Sequence, residues 1–339
     1  MKSRNEYDLI IVGGGAAGYA AALYAKRYEL SVLLIEGETP GGETANAGLI
    51  ENYPGFEAID GYELYQKFRN HALKFGAEVQ PGRVEKVTQE GHQFKVSVVG
   101  QGVREGSCII FTHGQARRRL GLPNEERLTG KGVSYCVTCD GPLYKGKTVG
   151  IVGGGDASVK GVNLLTEFAH KVFLIVKLGQ VNAEPINYRL MQSKGNKVET
   201  LYHTQVKEML EENGKFIGVK LFPGYQGNDI LKLDGLFIEI GAVPDRALPA
   251  SLGVALTESG HIHVDQFMQT NIAGVFAAGD VADATGSFRQ IVTAAAQGSM
   301  AATSAYEYIR KNTVPSEQYE MSAQVGNAKV QSSNVKLWH

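Results

Sequence analysis

Tyr7-Asp8-Leu9-Ile10-Ile11-Val12-Gly13-Gly14-Gly15-Ala16-Ala17-Gly18 is the stretch that decides the fold. Its apolar first half is typical of a buried parallel strand, and the Gly-x-Gly-x-x-Gly motif leads into an alanine-rich helix. A second apolar strand follows and ends in an acid, Glu36. In a dinucleotide-binding unit, such glycines let the backbone approach a pyrophosphate at the helix N-terminus, and the acid hydrogen-bonds a ribose. The stretch therefore predicts a Rossmann-like unit.

The same pattern is repeated in the middle of the chain. Residues 147–152 predict a strand, Gly153-Gly154-Gly155-Asp156-Ala157-Ser158 a glycine-rich loop, and the residues up to about 168 a helix. A strand over 171–176 follows. A later apolar strand ends in Gly279-Asp280 and is predicted to return to the first unit, where an aspartate at a strand end suits a cofactor hydroxyl.

We predict an α/β fold with two Rossmann-like dinucleotide-binding domains. The first domain comprises residues 1–117 and 247–312, and a smaller insert domain over 118–246 interrupts it. Residues 313–339 form a polar C-terminal tail. Segments 40–44 and 51–55 are predicted as turns, and 287–307 as an alanine-rich helix.

Cys136-Val137-Thr138-Cys139-Asp140 lies between the two glycine-rich loops. Two cysteines three apart can close a disulfide that exchanges with an incoming thiolate, and Asp140 is placed to move a proton. The alternative is half of a structural zinc site, which usually takes four ligands. The chain has only three cysteines, and the third, Cys108, lies in a run predicted to be a buried strand. The motif therefore favours a redox-active disulfide over zinc.

Composition and charge narrow the class of protein. The 339 residues are 43% apolar and 20% charged, as in ordinary globular proteins. A net charge of -1 gives no electrostatic case for a nucleic-acid partner or an anionic membrane. The N-terminus lacks the apolar core of a signal peptide, and the uncharged run 9–25 is too short for a membrane span. Three cysteines do not make a secreted disulfide framework. We expect a cytoplasmic protein.

Two polar groups have competing interpretations. Arg117-Arg118-Arg119 is interpreted as a solvated connector between domains, rather than a patch that binds a partner. His261 and His263 lie two apart on a predicted strand. Since a metal site would need further ligands that the sequence does not indicate, they are interpreted as surface histidines, and no metal site is predicted.

Taken together, these segments resemble the low-molecular-weight thioredoxin reductases over about residues 6–312. The order and spacing of six motifs carry the resemblance: Gly13-Gly14-Gly15-Ala16-Ala17-Gly18, Pro40-Gly41-Gly42-Glu43, Glu51-Asn52-Tyr53-Pro54-Gly55-Phe56, Cys136-Val137-Thr138-Cys139-Asp140-Gly141, Gly279-Asp280 and Arg289-Gln290-Ile291. In that family the first domain binds FAD, and the insert binds NADPH and bears the two cysteines. The resemblance also implies a homodimer and a thioredoxin-like dithiol protein as partner.

The resemblance implies a set of site residues. The catalytic ones are Cys139 as the thiol next to the flavin, Cys136 as the thiol that attacks the partner, and Asp140 as the general acid. Residues carried over by motif would form the FAD site: Gly13, Gly15, Ala17, Gly18, Glu36, Gly42, Asn52, Val84, Thr112, Asp280, Arg289, Gln290 and Ile291. One departure lies here, because the chain has Phe111-Thr112-His113-Gly114 where the family usually has Ala-Thr-Gly.

The larger departure lies in the insert. NADPH-using members follow the second strand with His-Arg-Arg and a further arginine, which hold the 2'-phosphate. This chain has Val176-Lys177-Leu178-Gly179-Gln180-Val181-Asn182, and Ser158 replaces the small alanine of the glycine loop. The chain therefore resembles the NADPH-independent branch, in which ferredoxin or a second flavin, an additional FAD, takes the place of NADPH. Two alternatives are an NADPH enzyme with an atypical phosphate site and a non-catalytic flavoprotein that senses redox state.

The tail carries the only tryptophan, Trp338, one residue from the C-terminus. One interpretation is a disordered polar tail. The other is that Trp338 stacks on FAD, its own or that of the second subunit, because an exposed indole gains nothing in water.

Overall fold

The structure is a computed structural model, and it describes residues 5–286 and 288–313. These residues form two compact units. The first unit contains residues 5–45, 49–114 and 244–313 without 287, and the second contains 46–48 and 115–243. Both are α/β units built on parallel strands, so the predicted fold class is confirmed.

The first unit holds a seven-stranded sheet and helices on its faces. Its strands are β1 (Glu6–Val12), β2 (Val32–Glu36), β3 (Leu49–Ile50), β4 (Ile59–Asp60), β5 (Glu78–Pro81), β6 (Val84–Glu90), β7 (Gln93–Val98), β8 (Gly102–Phe111) and β19 (Val275–Ala277). Its helices are α1 (Ala16–Arg27), α2 (Gly42–Asn46), α3 (Gly61–Lys74), α8 (Ala247–Ser251) and α9 (Ile291–Thr313). The sheet order is β5-β2-β1-β8-β7-β6, with β19 paired to β8.

The second unit holds a five-stranded parallel sheet and a three-stranded antiparallel sheet. Its strands are β9 (Gln115–Arg117), β10 (Val133–Ser134), β11 (Thr148–Val152), β12 (Lys171–Ile175), β13 (Val198–Leu201), β14 (Gln205–Glu212), β15 (Lys215–Tyr225), β16 (Asn228–Lys232), β17 (Gly235–Ile238) and β18 (Ala242–Pro244). Its helices are α4 (Glu125–Leu128), α5 (Val137–Asp140), α6 (Asp156–Phe168) and α7 (Pro185–Ser193), and Gly141–Tyr144 and Gly195–Lys197 are 3₁₀ turns. The parallel sheet runs β10-β17-β11-β12-β13, and the antiparallel one β14-β15-β16.

Burial explains why the glycine-loop strands form. Leu9, Ile10 and Ile11 of β1 are fully buried because parallel sheets are covered on both faces. Helix α1 is rich in alanine because α9 packs closely on it: a Cβ on Gly298 would lie 2.0 Å from the carbonyl oxygen of Ala17. Small residues on both helices are therefore required to place α1 against the sheet.

Several sequence predictions need correction. Segment 40–44 is not only a turn, because α2 begins at Gly42, and the helix predicted over 287–307 is α9, which runs from Ile291 to Thr313. Arg117 is not a solvated connector residue: it lies on β9 and pairs with Glu239, a side chain that is 7% exposed. His261 is not a surface residue either, since it is 8% exposed and its Nδ1 lies 2.8 Å from the hydroxyl of Ser259.

The structure also bears on His263, on a metal site and on a membrane-spanning helix, each of which was considered from the sequence. His263, exposed as predicted, lies with Nδ1 2.7 Å from a carboxylate oxygen of Asp283, and the two histidines share no strand. Among residues 5–286 and 288–313, no group of three His, Cys, Asp or Glu side chains could hold a metal ion. No helix of that same part of the chain is long and apolar enough to cross a membrane.

Candidate active site with two glycine loops and a disulfide

The first glycine loop has a backbone that only glycine permits. Gly13 has φ +118, and a Cβ there would lie 2.5 Å from the carbonyl carbon of Thr112, which follows β8. A Cβ on Gly18 would lie 1.9 Å from the carbonyl oxygen of Gly13. A Cβ on Gly15, at the N-terminus of α1, would meet nothing within 4 Å. The loop is thus tightly packed behind and open at the helix N-terminus, which fits a pyrophosphate.

Thr112 holds the loop from behind. Its hydroxyl donates to the carbonyl oxygen of Gly13 at 2.9 Å. The same hydroxyl lies 3.1 Å from the carbonyl oxygen of Val12. The next residue, His113, places Nε2 2.9 Å from the carbonyl oxygen of Asp245, which fixes where the chain leaves β8. Burial lowers the pKa of His113, although Asp245 opposes that change, so its ring is neutral near pH 7. Thr112 therefore contacts the glycine loop even though the next residue is a histidine.

Glu36, at the end of β2, carries a hydrogen-bond cluster that the sequence did not reveal. Its Oε1 accepts from the hydroxyl of Tyr19 at 2.9 Å, the hydroxyl of Tyr65 at 3.1 Å and the amide of Gly41 at 3.2 Å. Burial, and then Glu36, raises the pKa of Tyr19, so its hydroxyl stays a donor. No motif pointed to the two tyrosines, because only the fold brings α1 and α3 to this strand end.

A second group of predicted FAD residues gathers around the start of α9. The Nδ2 of Asn52 donates to Oε1 of Gln290 at 3.0 Å, although 238 residues separate them. Ile291 packs against a small apolar cluster that includes Ile50 and Leu64. Residues from the third and last of the motifs that carry the resemblance thus meet in the described structure.

Asp280 and Arg289 belong to the same region. Burial raises the pKa of Asp280, and the positive charge of Arg289 partly offsets that rise. The side-chain oxygen of Gln297 accepts from the amide of Gly279 at 2.7 Å and holds the loop that carries Asp280. The Nε of Arg289 is buried and has no hydrogen-bond partner among the described residues. The charges of the two predicted residues therefore act on each other.

The remaining predicted FAD residues are placed as follows. Ala17 is a buried residue of α1, and Gly42 begins α2 with φ +53. Val84 starts β6 at the far edge of the sheet, but the amide of Gly82 donates to the carbonyl oxygen of Glu36 at 2.8 Å, which brings this strand start to the end of β2. Trp338 lies outside the described residues.

The Cys-x-x-Cys motif forms a disulfide within one turn of helix. Cys136 and Cys139 are bonded, and the sulfur of Cys136 accepts from the amide of Cys139 at 3.1 Å. The amide of Asp140 donates to the carbonyl oxygen of Cys136 at 3.1 Å. Cys108, the third cysteine, is fully buried on β8 of the first unit, where burial raises its pKa. The disulfide therefore supports the redox interpretation over half a zinc site.

Glu125 anchors the segment that leads into the disulfide. Its carboxylate accepts from the amides of Leu120 at 2.9 Å and Gly121 at 2.7 Å, and from the hydroxyl of Tyr135. Burial acts to raise the pKa of Glu125, but the hydrogen bonds from Tyr135 and the amides outweigh it and lower the pKa. This carboxylate stays ionised and ties the residue before Cys136 to α4.

The second glycine loop follows the first in backbone and departs from it in side chains. A Cβ on Gly153 would lie 2.3 Å from the carbonyl oxygen of Glu239. Ser158 is fully buried, and its hydroxyl donates to the carbonyl oxygen of Gly155 at 2.7 Å. The amide of Asn182 donates to the carbonyl oxygen of Gly154 at 2.7 Å. The segment after β12 is thus fixed across the loop.

Known proteins share this arrangement along nearly the whole chain. Residues 7–298 match the family described as pyridine nucleotide-disulphide oxidoreductase. A thioredoxin reductase of Bacillus subtilis (strain 168) is 41% identical over 312 residues, which is 92% of this chain and 97% of the relative. The chain belongs to the thioredoxin reductase family.

Solved structures of thioredoxin reductases are also similar to this chain over most of its length. The thioredoxin reductase of Lactococcus lactis superposes with a TM-score of 0.84 at 33% identity, covering 90% of this chain and 99% of the other. A ferredoxin-flavin thioredoxin reductase of Clostridium acetobutylicum superposes with a TM-score of 0.51 at 32% identity, covering 91% and 99%. This thioredoxin reductase family member is a flavin-dependent disulfide oxidoreductase, and FAD is its cofactor. The open first glycine loop fits that cofactor.

Proposed function

We propose that the protein reduces the disulfide of a thioredoxin-like protein through Cys136 and Cys139. The disulfide at the start of α5 carries this proposal, because it sits at an accessible turn: Cys139 is exposed and Cys136 half-buried. The similar proteins are named thioredoxin reductases, which supports thioredoxin as the acceptor. FAD, when bound, would supply the electron pair needed to reduce the disulfide to two thiols.

The residues around the disulfide suit thiol exchange. The thiolate of Cys136 attacks one sulfur of the partner's disulfide, which forms a mixed disulfide and releases one partner thiolate, to be protonated by Asp140. The thiolate of Cys139 then attacks Cys136, which releases the second partner thiolate and restores the Cys136–Cys139 bond. The amide of Cys139, 3.1 Å from the sulfur of Cys136, is placed to stabilise a thiolate there.

We assign the first unit to FAD and the second to the disulfide and the electron donor's site. The open glycine loop, Glu36, and the Asn52–Gln290 pair support the first assignment. The predicted domain limits, 1–117, 118–246 and 247–312, and the predicted homodimer and cytoplasmic location are part of this proposal.

A pyridine nucleotide is the electron donor that the comparisons favour. The matching family is described by that cofactor, and curated relatives 39% and 41% identical to this chain are named thioredoxin reductase. The glycine loop over 153–158 supplies the helix N-terminus that such a nucleotide needs.

A donor other than NADPH is the second candidate, and one feature of the second unit favours it. Segment 177–182 contains no arginine, its lysine Lys177 is exposed, and the neighbouring Leu178 is 59% exposed. A 2'-phosphate gains most from the forked guanidinium of arginine, which Lys177 cannot replace. Ferredoxin, as in the name of the ferredoxin-flavin thioredoxin reductase of Clostridium acetobutylicum, or a second FAD would then supply the electrons.

Thiol variants test the reductase function. Holoprotein reduced chemically at the flavin should reduce an added thioredoxin, and Cys136→Ser and Cys139→Ser should each lose this turnover by at least about a thousandfold, as removal of a nucleophile does. Cys108→Ala is the matched control and should keep turnover. Full turnover in either serine variant would refute the proposed roles.

An anaerobic titration separates the two donor candidates. Flavin per chain is first quantified, and NADPH or NADH is then added while the flavin absorbance is followed. Bleaching by NADPH within a turnover time supports the pyridine nucleotide. Absence of bleaching by either nucleotide supports the second candidate, and two flavins per chain would select the second FAD over ferredoxin.

A further inference from the structure

Three hydrogen-bond donors from three different elements converge on a single oxygen of Glu36. Tyr19 comes from α1, Tyr65 from α3, and Gly41 from the loop before α2, and all three donate to Oε1 within 3.2 Å. Both tyrosines are almost fully buried, at 1% and 4% exposure. A buried carboxylate that is held by several donors has a fixed direction.

The other oxygen of Glu36 is left for a ligand. Oε2 accepts no hydrogen bond from the described residues, and Glu36 keeps 6% of its surface exposed. The side chain lies against the first glycine loop, since a Cβ on Gly14 would be 2.6 Å from its Oε1. Oε2 is not one of the buried side-chain atoms that lack a partner among the described residues, so it reaches the part of Glu36 that stays exposed and can accept from a ligand there.

Tyr65 also acts on the loop that supplies the third donor. Its ring packs on Gly41, where a Cβ would lie 2.6 Å from the ring, and Gly41 has φ +76. The rings of Tyr19 and Tyr65 lie 5.9 Å apart, centroid to centroid. One side chain thus fixes both the carboxylate and the amide that binds it.

We propose that Tyr19 and Tyr65 are positioning residues that aim the free oxygen of Glu36 at the adenosine ribose of FAD. The inference rests on the proposed assignment of the first unit to FAD. The two hydroxyls take up Oε1, which leaves Oε2 to accept from a ribose hydroxyl at the end of β2. They touch Glu36 and act on the cofactor only through it.

The test measures FAD dissociation from full-length holoprotein by the fluorescence of flavin released on dilution. Tyr65→Phe removes the hydroxyl and keeps the ring, and should raise the dissociation constant about three- to tenfold, as loss of one hydrogen bond does. In a Glu36→Ala background the same change should have less than about a twofold effect, since coupled residues are not additive. Tyr28→Phe is the matched control, because its hydroxyl bonds Thr303 and not Glu36.

FMN, which lacks the adenosine, is the second probe and does not depend on the folding of the Glu36 variant. Tyr65→Phe should leave FMN binding unchanged. The positioning role would be overturned if Tyr65→Phe weakened FAD binding equally in the wild-type and Glu36→Ala backgrounds, or weakened FMN binding as much as FAD binding. Either result would leave the FAD assignment intact. If Glu36→Ala itself leaves FAD binding unchanged, the proposed place of the ribose fails instead.

Discussion

The glycine loop of the first unit and that of the second share a backbone plan. In both, the first glycine has a positive φ, +118 at Gly13 and +153 at Gly153, and a Cβ there would collide with the residue after a neighbouring parallel strand. That residue is Thr112 in one unit and Glu239 in the other. In each unit the strand before the loop pairs in parallel with the strand after the helix.

Their side chains differ at three equivalent positions. The third glycine, Gly18, corresponds to Ser158; the first helical residue, Ala16, to Asp156; and the acid Glu36, counted from the first loop glycine, to Val176. The backbone plan therefore marks a place for a nucleotide, whereas the side chains decide which one fits. This is why the fold of the second unit does not name the electron donor.

Exchanging the third glycine of the first loop for the serine of the second should have the largest effect on FAD binding and stability. In Gly18→Ser the new Cβ would lie 1.9 Å from the carbonyl oxygen of Gly13, so the loop must move. We expect purified Gly18→Ser to retain no FAD and to lose more than about 4 kcal/mol of stability. Ser158→Gly should cost only about 1 kcal/mol. Flavin content and urea unfolding measure both, and a full complement of FAD in Gly18→Ser would contradict the required fit.

Replacement of the acid should come next. Glu36→Val gives the first loop the apolar strand end of the second and leaves three buried donors without an acceptor. We expect FAD to bind roughly 10- to 100-fold more weakly, as loss of a hydrogen bond to a charged group implies. Glu38→Gln, an exposed acid two residues on, should change nothing. Titration of FAD into each protein measures the affinity. Unchanged FAD affinity in Glu36→Val would show that this acid does not distinguish the two loops.

Arginines introduced after β12 should change nucleotide binding at the second loop alone. Lys177→Arg with Leu178→Arg places two guanidinium groups on exposed positions, where no burial opposes them. NADPH should bind about tenfold more tightly or better, because each charge-assisted contact to the phosphate adds affinity. NADH lacks that phosphate and serves as the control in calorimetric titrations. Equal gains for both nucleotides, or micromolar NADPH binding by the unmodified protein, would argue against the missing clamp.

The smallest expected difference between the two loops is in how stability depends on pH. Burial acts to raise the pKa of Asp156, but hydrogen bonds from Asn187, the amide of Glu184 and Lys160 outweigh it, and the pKa is lowered. A lowered folded-state pKa stabilises the fold above the unfolded-state value, and the stabilisation is lost as pH falls through the folded one. Ala16 gives the first loop no such dependence.

Asp156→Asn should therefore reduce stability by about 1 kcal/mol near pH 7 and flatten its decline below about pH 4. Urea unfolding between pH 3 and 7 measures this. Asp229→Asn is the control, because its exposed pair with Lys220 contributes little. Parallel pH profiles for wild type and Asp156→Asn would show that Asp156 plays no such part.

Local patterns were sufficient for the strands next to the two glycine loops, for those loops and for the disulfide. The run Leu9–Val12 and the glycines after it specify strand and loop through short-range sterics, and Cys136 and Cys139 lie within one turn, so both were predicted. The family resemblance rested on those same segments. The predicted roles of individual site residues stay predictions.

Contacts between distant segments could not be predicted. Tyr65 meets Glu36 across 29 residues, and Asn52 meets Gln290 across 238, and no pattern in one chain records such pairs. His261 was interpreted as a surface histidine because the sequence indicated no further metal ligands, but it is 8% exposed and its ring contacts the hydroxyl of Ser259. Arg117 was missed as an ion-pair partner because Glu239 is far away in sequence.

The insertion of the second unit into the first has a consequence for how the chain folds. Helix α1 packs against α9, which follows the second unit in the chain, so the first unit must close a loop that spans the whole insert. Loop-closure entropy grows only with the logarithm of length, about 0.6 kcal/mol for each doubling. The ends of the insert also meet, since β9 pairs with β18 and the amide of Arg118 donates to Gly241 at 2.9 Å.

Once the insert is folded, the rest of the chain closes around a short connection. Apart from residues 46–48, the second unit is one continuous stretch that precedes α9 in the chain. During synthesis we therefore expect it to become protease-resistant before the first unit, which needs α9. Proteolysis of stalled nascent chains would show this order, and early protection of β1 and β2 would contradict it. Translation thus completes the disulfide-bearing unit before the first unit can close.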